Sequence, residues 1–369
     1  MQREVRHDWQ IGPFARCGEV LAQQPEVSFT CPVLGTSVAW AAKDVFNPAA
    51  VVRDGKVYLL FRGEDSVGPY GGTSRIGLAV SDDGITFQVE PEPVLFPACD
   101  AWQPWEWPGG CEDPRLVESP DGGYVCLYTA FDGKSSSLFV ATSTDLVHWE
   151  KSGPAFAVSP YVRRWSKSGA IVTRAHEGRL VAAKVNDRYL MYWGEGTCFA
   201  ATSPDLVRWT PVEFDAGSDR YLSYDATGGV GPWTVHRVAG QKVLRPLLFP
   251  RRGRFDALLV EPGPPAVITD FGVVLIYNGA TITRVEDGSA GEVVYQPGQA
   301  LFDGCDPLSP IARAEVPFLF NDDLEHRDGQ VDNVCFAQGL VLYDDSWLLY
   351  YGMADSRIGC ATAPRTSRS

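Results

Sequence analysis

A short segment that recurs along the chain constrains the fold more than any other feature. An apolar run, then Ser-x-Asp and an aromatic residue four positions later, occupies residues 78–87, 140–149 and 200–209, about 60 residues apart. Weaker copies occur at 298–303 and 358–362. A unit of this length that repeats about five times is typical of a radial array of four-stranded sheets. We therefore predict an all-β chain that forms a five-bladed β-propeller with its active site in the central funnel.

The rest of the chain agrees with this prediction. Short segments rich in Val, Ile, Leu, Tyr and Phe alternate with Gly, Asp, Asn and Pro clusters, and no stretch keeps a helical apolar period. We expect one catalytic domain over residues 1–369. Its N-terminal segment, residues 1–40, either closes the last blade or mediates contact between subunits, and the oligomeric state stays open.

The repeated Ser-x-Asp segments are predicted to be structural. Ser and Asp side chains hydrogen-bond the backbone of tight turns, and an aromatic residue after such a turn packs between blades. Asp83, Asp145 and Asp205 are therefore excluded from the candidate chemistry.

Charge and cysteine content narrow the class of partner. The chain has 32 basic and 46 acidic residues, a net charge of −14, and no basic stripe, which argues against nucleic acid. Its N-terminus does not resemble a secretory signal, and no apolar run has the length of a membrane span. The nine cysteines are scattered without metal-binding spacing, as expected for reduced thiols. We expect a cytoplasmic protein with a small-molecule partner, no membrane or nucleic acid, and no metal or organic cofactor.

Polar clusters stand where the innermost strands are predicted to begin. Such strands converge on one axis, so their polar side chains are expected to line one ligand site. The clusters contain Asn47, Glu112-Asp113, Lys167-Ser168, Glu261 and Asp332-Asn333, joined by Arg62, Glu64, Asp65 and Asp355.

The segment around Asp113 suggests a sugar site. Asp113 follows an acidic residue and precedes Pro114 and Arg115, and Trp102, Trp105 and Trp107 stand just upstream. Indoles offer flat apolar faces that match those of sugar rings. The alternative is a tight turn in which Glu112 and Arg115 form a surface ion pair.

Several motifs in this order resemble glycoside hydrolase family 130, a group of five-bladed propeller enzymes acting on β-mannosides. They span about residue 46 to residue 363 and comprise Asn47-Pro48, Arg62, Glu112–Arg115, Ser168–Ala170, Gly263–Pro265, Tyr277–Gly279 and Tyr350–Asp355. The resemblance implies a mannosyl ring held by Asn47, Arg62, Arg115 and Asp355. It also implies that Asp113 is the general acid, acting through a hydroxyl of the mannose. Further candidate substrate-binding residues are Asp65, Glu112, Lys167, Trp193 and Tyr277.

We expect Asp113 to be protonated at working pH, because burial beside Glu112 favours the neutral form. Arg115 would oppose that shift by pairing with Asp113. We therefore expect its guanidinium to point at Glu112 or at the sugar.

The family contains phosphorylases and hydrolases, which differ in the charge opposite the acid. A phosphorylase needs cations that hold phosphate, whereas an inverting hydrolase needs a carboxylate that activates water. Glu261 precedes the Gly-Pro-Pro turn where the phosphorylase pattern has a small residue, and Tyr192–Glu195 replaces a His-Arg pair. Glu213 resembles the acidic position of the family's β-1,2-mannosidases. We therefore expect inverting hydrolysis of β-mannosides, β-1,2-linked ones above all, with release of mannose and with Glu261 or Glu213 as base.

Three alternatives remain open at this stage. A phosphorylase that produces mannose 1-phosphate is favoured by the Val331–Val334 segment and by basic residues such as Lys167 and Arg251. A non-catalytic carbohydrate-binding propeller would need no acid opposite a base. An arabinan- or fructan-type glycosidase would use Asp44, Asp113 and Glu261, but it leaves Arg115 and Asp355 without a role.

Overall fold

Strands make up almost all of the regular structure. The computed structural model describes residues 7–66, 72–157, 159–215, 242–283, 291–320 and 329–365. Within those ranges the regular elements are one four-residue helix and a series of β-strands, so the fold is nearly all-β as predicted. The described residues contain no helix with the length and apolar character to cross a membrane.

Most strands belong to five consecutive antiparallel sheets. The N-terminal region comes first, with β1 (Ala15–Leu21), β2 (Phe29–Cys31) and β3 (Thr36–Val38). The first sheet contains β4 (Asp44–Arg53), β5 (Lys56–Glu64), β6 (Ser74–Ser81) and β7 (Gln88–Val89). The second follows helix α1 (Gln103–Glu106) and contains β8 (Gly110–Glu118), β9 (Tyr124–Phe131), β10 (Ser136–Ser143) and β11 (Glu150–Pro154).

The third and fourth sheets have interrupted edges. The third contains β12 (Gly169–His176), β13 (Arg179–Ala182), β14 (Lys184–Val185), β15 (Arg188–Trp193), β16 (Phe199–Ser203) and β17 (Thr210–Pro211). A separate hairpin follows, formed by β18 (Glu213–Asp215) and β19 (Lys242–Leu244). The fourth sheet contains β20 (Leu259–Pro262), β21 (Ala266–Thr269), β22 (Gly272–Ile282), β23 (Val293–Phe302) and β24 (Pro310–Arg313).

The fifth sheet is assembled from both ends of the chain. It contains β25 (Cys335–Tyr343), β26 (Ser346–Met353) and β27 (Arg357–Pro364), and β1 pairs antiparallel with β27 as its fourth strand. The N-terminal segment therefore supplies part of the last sheet.

Apolar side chains are buried between neighbouring sheets. Four clusters of buried residues each join two sheets that are consecutive in sequence, and another cluster joins the fifth sheet to the first. Representative pairs, in order around the molecule, are Leu60 with Tyr128, Leu127 with Met191, Tyr192 with Leu275, Val274 with Leu349, and Tyr350 with Leu59. Each sheet is thus covered on both faces, which explains the near-continuous apolar runs in its strands.

The structural role predicted for the Ser-x-Asp segments is confirmed. The Asp145 carboxylate accepts backbone N–H groups from Val147 at 2.9 Å and His148 at 2.8 Å, while Ser143 Oγ accepts the N–H of Leu146 at 2.9 Å. The turns at Asp83 and Asp205 repeat the carboxylate contacts. These aspartates are therefore occupied by the turns that they close.

Candidate active site

One pocket receives side chains from all five sheets. Its volume is about 150 Å³. It is lined by Phe46, Asn47, Arg62, Asp113, Lys167, Glu195, Glu261, Tyr295, Val331, Val334, Phe336 and Asp355. The predicted convergence is therefore observed for Asn47, Arg62, Asp113, Lys167, Glu261 and Asp355. Asp332 and Asn333 do not line the pocket: Asp332 is exposed, and Asn333 Nδ2 donates to Glu292 Oε2 at 2.9 Å. A larger groove, about 450 Å³, lies at the outer turns near Trp149 and Asp205, where the Asp205 carboxylate already accepts backbone N–H groups.

Two β-bulges aim polar residues into the pocket. The pairing of β4 with β5 shifts register between Phe46 and Ala49, and the pairing of β8 with β9 shifts between Glu112 and Arg115. Asn47 and Asp113 occupy these bulges, each with a φ of 49° and each followed by proline. A bulge leaves one residue out of the ladder and turns its side chain, which is why such irregularities occur beside active sites.

Asp113 is held by two donors. Asn47 Nδ2 donates to its Oδ1 at 2.5 Å, and Arg62 Nη1 donates to the same oxygen at 3.1 Å. Asp113 itself is 5% exposed. The residue lines the pocket.

Arg62 connects the acidic residues on this side of the pocket. Its Nη2 lies 2.5 Å from Glu64 Oε1 and 3.0 Å from Glu112 Oε1. Lys167 Nζ lies 3.4 Å from the other oxygen of Glu112. These contacts form an alternating chain of buried charges, which is the arrangement that makes ionised side chains tolerable away from water.

The predicted protonation of Asp113 is wrong. Burial by itself raises the pKa of Asp113, as the sequence argument assumed, but the positive charge of Arg62 and then of Lys167 outweighs it. The hydrogen bond from Asn47 acts in the same direction, so the pKa ends below its ordinary value. Sequence reasoning did not foresee that Arg62 reaches across from the neighbouring sheet.

Two other carboxyl groups of the pocket shift the opposite way. Burial raises the pKa of Asp355 to about 7, and the negative charge of Asp113 adds to the effect while Arg62 opposes it. Burial raises the pKa of Glu261 well above its ordinary range, and the negative charge of Glu195 reinforces this. Glu261 is 6% exposed, and its Oε1 lies 3.9 Å from Arg115 Nη2.

Glu195 is a pocket residue that the sequence argument noted but did not select. It stands two positions after Trp193, where β15 ends, and Gly194 between them has a φ of 123°. Trp165 Nε1 donates a hydrogen bond to Glu195 Oε2 at 2.5 Å. The available signal was the acidic residue that replaces the His-Arg pair.

Trp193 and Tyr277 lie outside the pocket, in the core. Trp193 is fully buried between the second and third sheets, where its ring centroid is 4.5 Å from that of Phe156. The Tyr277 hydroxyl donates to Asp256 Oδ2 at 2.8 Å. Successive strand residues point to opposite faces, so a strand that ends at the pocket also buries large aromatic rings. These positions do not support the predicted substrate contacts.

Glu213 is also displaced from the site. It is an exposed residue of the β18–β19 hairpin, and its Oε1 accepts a hydrogen bond from the Tyr161 hydroxyl at 2.7 Å. The loose alignment over residues 214–255 hid this displacement, and residues 216–241 of that stretch lie outside the described residues. Among the described residues, Glu195 accompanies Glu261 in its place.

Arg115 and Asp65 hold the framework of the site. Arg115 Nε donates to Gly263 O at 3.0 Å and its Nη1 to Asp113 O at 3.1 Å, so the guanidinium ties β8 to the Gly-Pro-Pro turn. The expectation that it points at Glu112 or the sugar is therefore wrong. Asp65 pairs with the buried Arg75 at 2.5 Å and accepts the N–H of Thr73 at 2.8 Å.

Two of the tryptophans that suggested a sugar site, Trp102 and Trp105, are likewise part of the packing. Trp102 and Trp105 have ring centroids 5.6 and 5.4 Å from that of Phe139, in the cluster between the first two sheets. Aromatic surface in the pocket comes instead from Phe46, Tyr295 and Phe336, with the Arg62 guanidinium 4.6 Å above the Phe46 ring.

Comparison with known proteins identifies the family of the chain. The Glyco_hydro_130 family model, described as beta-1,4-mannooligosaccharide phosphorylase, matches residues 25–244 and 230–366. A 1,2-beta-oligomannan phosphorylase of Thermoanaerobacter sp. (strain X514) is 30% identical over 87% of this chain and 90% of its own length. A Beta-1,2-mannobiose phosphorylase of the same strain is 27% identical, with the same two coverages.

Solved structures extend the similarity to the fold. A glycosyl hydrolase from Bacteroides ovatus is 40% identical, with a TM-score of 0.86 over 99% of this chain and 97% of its own. Another structure has 40% identity and a TM-score of 0.87 over 100% of this chain and 98% of its own. It was solved in work on family 130 glycoside hydrolases that target β-1,2 mannosidic linkages in Candida mannan. The extent of the family match and the 30% identity over most of both chains lead to one conclusion: the chain belongs to glycoside hydrolase family 130, whose enzymes act on β-mannosides.

Proposed function

We propose that the chain hydrolyses β-mannosidic linkages, most readily β-1,2 linkages, with inversion at the anomeric carbon and release of mannose. We also propose that the five sheets are the blades of a five-bladed propeller with the pocket at its axis. The five interfaces between sheets, including the one between fifth and first, support that arrangement.

The observation that carries hydrolysis is a pair of carboxylates on the pocket wall. Glu195 and Glu261 both line the pocket that contains Asp113, and the pKa of Glu261 responds to the charge of Glu195. An inverting hydrolase needs a carboxylate to take a proton from water on the face opposite the acid. As the proposed base Glu195 is ionised, and its negative charge disfavours a phosphate ion bound beside it.

The proposed reaction is a single displacement. Glu195 accepts a proton from water, the water oxygen bonds to the anomeric carbon, and the bond from that carbon to the glycosidic oxygen breaks. Asp113 supplies a proton to the leaving oxygen through a mannose hydroxyl, as the family resemblance implies. Glu261 remains protonated beside Glu195, in accord with its raised pKa.

The proton for Asp113 is proposed to come from Asp355. Arg62 keeps Asp113 ionised, whereas Asp355 holds a proton up to a pH of about 7. Both residues line the same pocket, and each affects the electrostatics of the other. A bound sugar hydroxyl between them can pass the proton on, which would make Asp355 part of the acid machinery as well as a sugar ligand.

The sugar itself is proposed to bind between polar and aromatic walls. Asn47, Arg62 and Lys167 offer donors to ring hydroxyls, and Phe46, Tyr295 and Phe336 offer apolar ring faces. The small pocket volume fits a site that holds one sugar ring and leaves the rest of an oligosaccharide outside.

Phosphorolysis is the second candidate function. The curated relatives described above are named phosphorylases, and those names support phosphorolysis more directly than hydrolysis. Arg62 and Lys167 also bring positive charge to the pocket. Both cations already pair with carboxylates, Arg62 with Glu64, Glu112 and Asp113 and Lys167 with Glu112. For this reason the geometry of the described residues ranks hydrolysis first.

Product analysis with β-1,2-mannobiose decides between the two. The purified protein is assayed in phosphate buffer and in phosphate-free buffer, with mannose and mannose 1-phosphate measured separately. Hydrolysis predicts two molecules of mannose per mannobiose at equal rates in both buffers. Mannose 1-phosphate that forms only with phosphate would establish phosphorolysis instead. If neither product forms, β-1,3- and β-1,4-mannosides are tested next, and inactivity on all of them would favour a carbohydrate-binding role.

A further inference from the structure

The indole of Trp165 lies outside the core and contacts Glu195, a residue that lines the pocket. Trp165 is 45% exposed. Its Nε1 nevertheless donates to Glu195 Oε2 at 2.5 Å. An exposed indole N–H can be satisfied by water, so folding does not require this contact. The contact instead fixes one oxygen of a pocket carboxylate.

The two segments that carry this pair are locked together. Ser168 Oγ donates to Gly194 O at 2.8 Å, and Gly194 N donates to Ser168 O at 3.3 Å. Directly beyond, Gly169 pairs with Trp193 in the β12–β15 ladder. Ser166 and Ser168 are fully buried. Trp165 and Glu195 therefore extend from a fixed backbone, and their hydrogen bond has a defined geometry.

We infer that Trp165 is a positioning residue for the proposed hydrolysis: its indole N–H holds Glu195 Oε2 and directs Glu195 Oε1 at the attacking water. This inference rests on the proposed function. Trp165 donates to Glu195, whereas Glu261 lies near Arg115. The inference therefore gives the two glutamates different roles. During the step, one O–H bond of the water breaks and its proton moves to Oε1, while the indole keeps its own proton.

The test compares Trp165→Phe with Trp149→Phe. Both substitutions remove an indole N–H, but Trp149 donates its N–H to the Leu146 carbonyl in an outer turn. We expect kcat of Trp165→Phe to fall about tenfold with KM nearly unchanged, because the base is misdirected while the sugar contacts remain. Trp149→Phe should keep the wild-type kcat and KM. Equal kcat and equal KM for the two variants would overturn the inference.

A double substitution separates positioning from general damage. In the Glu195→Gln background, Trp165→Phe should change the residual rate by less than twofold, because the group that it positions no longer acts as a base. A further tenfold loss in that background would contradict a role through Glu195. The wild type is assayed first without phosphate. Activity that occurs only with phosphate would overturn the hydrolysis proposal together with this inference. Phosphate-independent hydrolysis in which Trp165→Phe keeps the wild-type kcat would overturn only the inference.

Discussion

The outer turns and the central pocket both present acidic side chains, but the protein uses them in opposite ways. The turn aspartates recur at equivalent positions and their carboxylates accept nearby backbone N–H groups; at Asp145 these bonds, led by that from His148, lower the pKa. The pocket carboxyl groups differ from sheet to sheet and are buried. Their pKa values move apart, downward for Asp113 and upward for Glu261 and Asp355.

This contrast shows how a repeated fold separates structure from chemistry. An aspartate that recurs at the same position of several repeats accepts the same backbone N–H groups in each turn. A residue that appears once, at the inner end of one sheet, is free to be selected for a single reaction. Carboxyl groups whose environments push their pKa values apart are also the ones suited to different proton-transfer roles.

The largest expected effect compares Asp113 with Asp145. Asp113→Asn should lower kcat by about 10²–10⁴-fold, because proton delivery to the leaving oxygen is lost. Asp145→Asn changes the same group in an outer turn and should leave kcat unchanged. Steady-state kinetics on β-1,2-mannobiose measure both. Comparable activity of the two variants would contradict a catalytic role for Asp113 that Asp145 lacks.

The glutamates offer a second comparison of similar size. Glu195→Gln should lower kcat by about 10²-fold or more, because the proposed base is lost, whereas Glu261→Gln resembles the protonated side chain and should have a smaller effect. Glu213→Gln serves as the matched control and should behave as wild type, since Glu213 bonds Tyr161 outside the pocket. Strong loss in Glu213→Gln alone would restore that residue as the base.

The pH dependence sharpens the contrast through Asp355. Its raised pKa means that it is neutral below and ionised above a pH of about 7. Because the proposed proton comes from the neutral form, kcat/KM should fall as the pH rises through that value. A pH profile of kcat/KM measures this. Asp355→Asn should lose that basic limb along with much of its activity, while Asp145→Asn should retain it. A limb that survives in Asp355→Asn would assign the proton to another group.

The smallest expected effect is on stability, at the outer turns. Asp205→Ala removes hydrogen bonds to Val207 N and Arg208 N, and it should lower the free energy of unfolding by about 1 kcal/mol with kcat retained. Burial raises the pKa of Asp205, but hydrogen bonds from the backbone and the side chain of Arg208 outweigh burial and lower that pKa. A lowered pKa stabilises the fold above the unfolded-state value, and that contribution is lost as the pH falls. Chemical denaturation at several pH values should therefore show the difference from wild type shrinking in acid.

Much of the architecture was predictable from local patterns. The repeat spacing, the alternation of apolar runs with turn residues and the Ser-x-Asp segments depend on neighbouring residues, so they predicted the strands and the closed turns. The positions of Asn47, Asp113, Lys167, Glu261 and Asp355 were also predictable, because polar residues at the inner ends of strands interrupt otherwise apolar sequence. Family resemblance then supplied the class of substrate.

The chemistry of those residues depended on partners that are distant in sequence. Arg62 reaches Asp113 from the neighbouring sheet and reverses the expected shift of the Asp113 pKa. Arg115 donates hydrogen bonds to carbonyl groups of a turn about 150 residues away in the sequence. Trp193 and Glu195 are two residues apart, yet one fills the core and the other enters the pocket because Gly194 turns the chain between them. Local sequence determines which elements form, whereas burial and the charges brought close by folding determine which carboxyl group holds a proton.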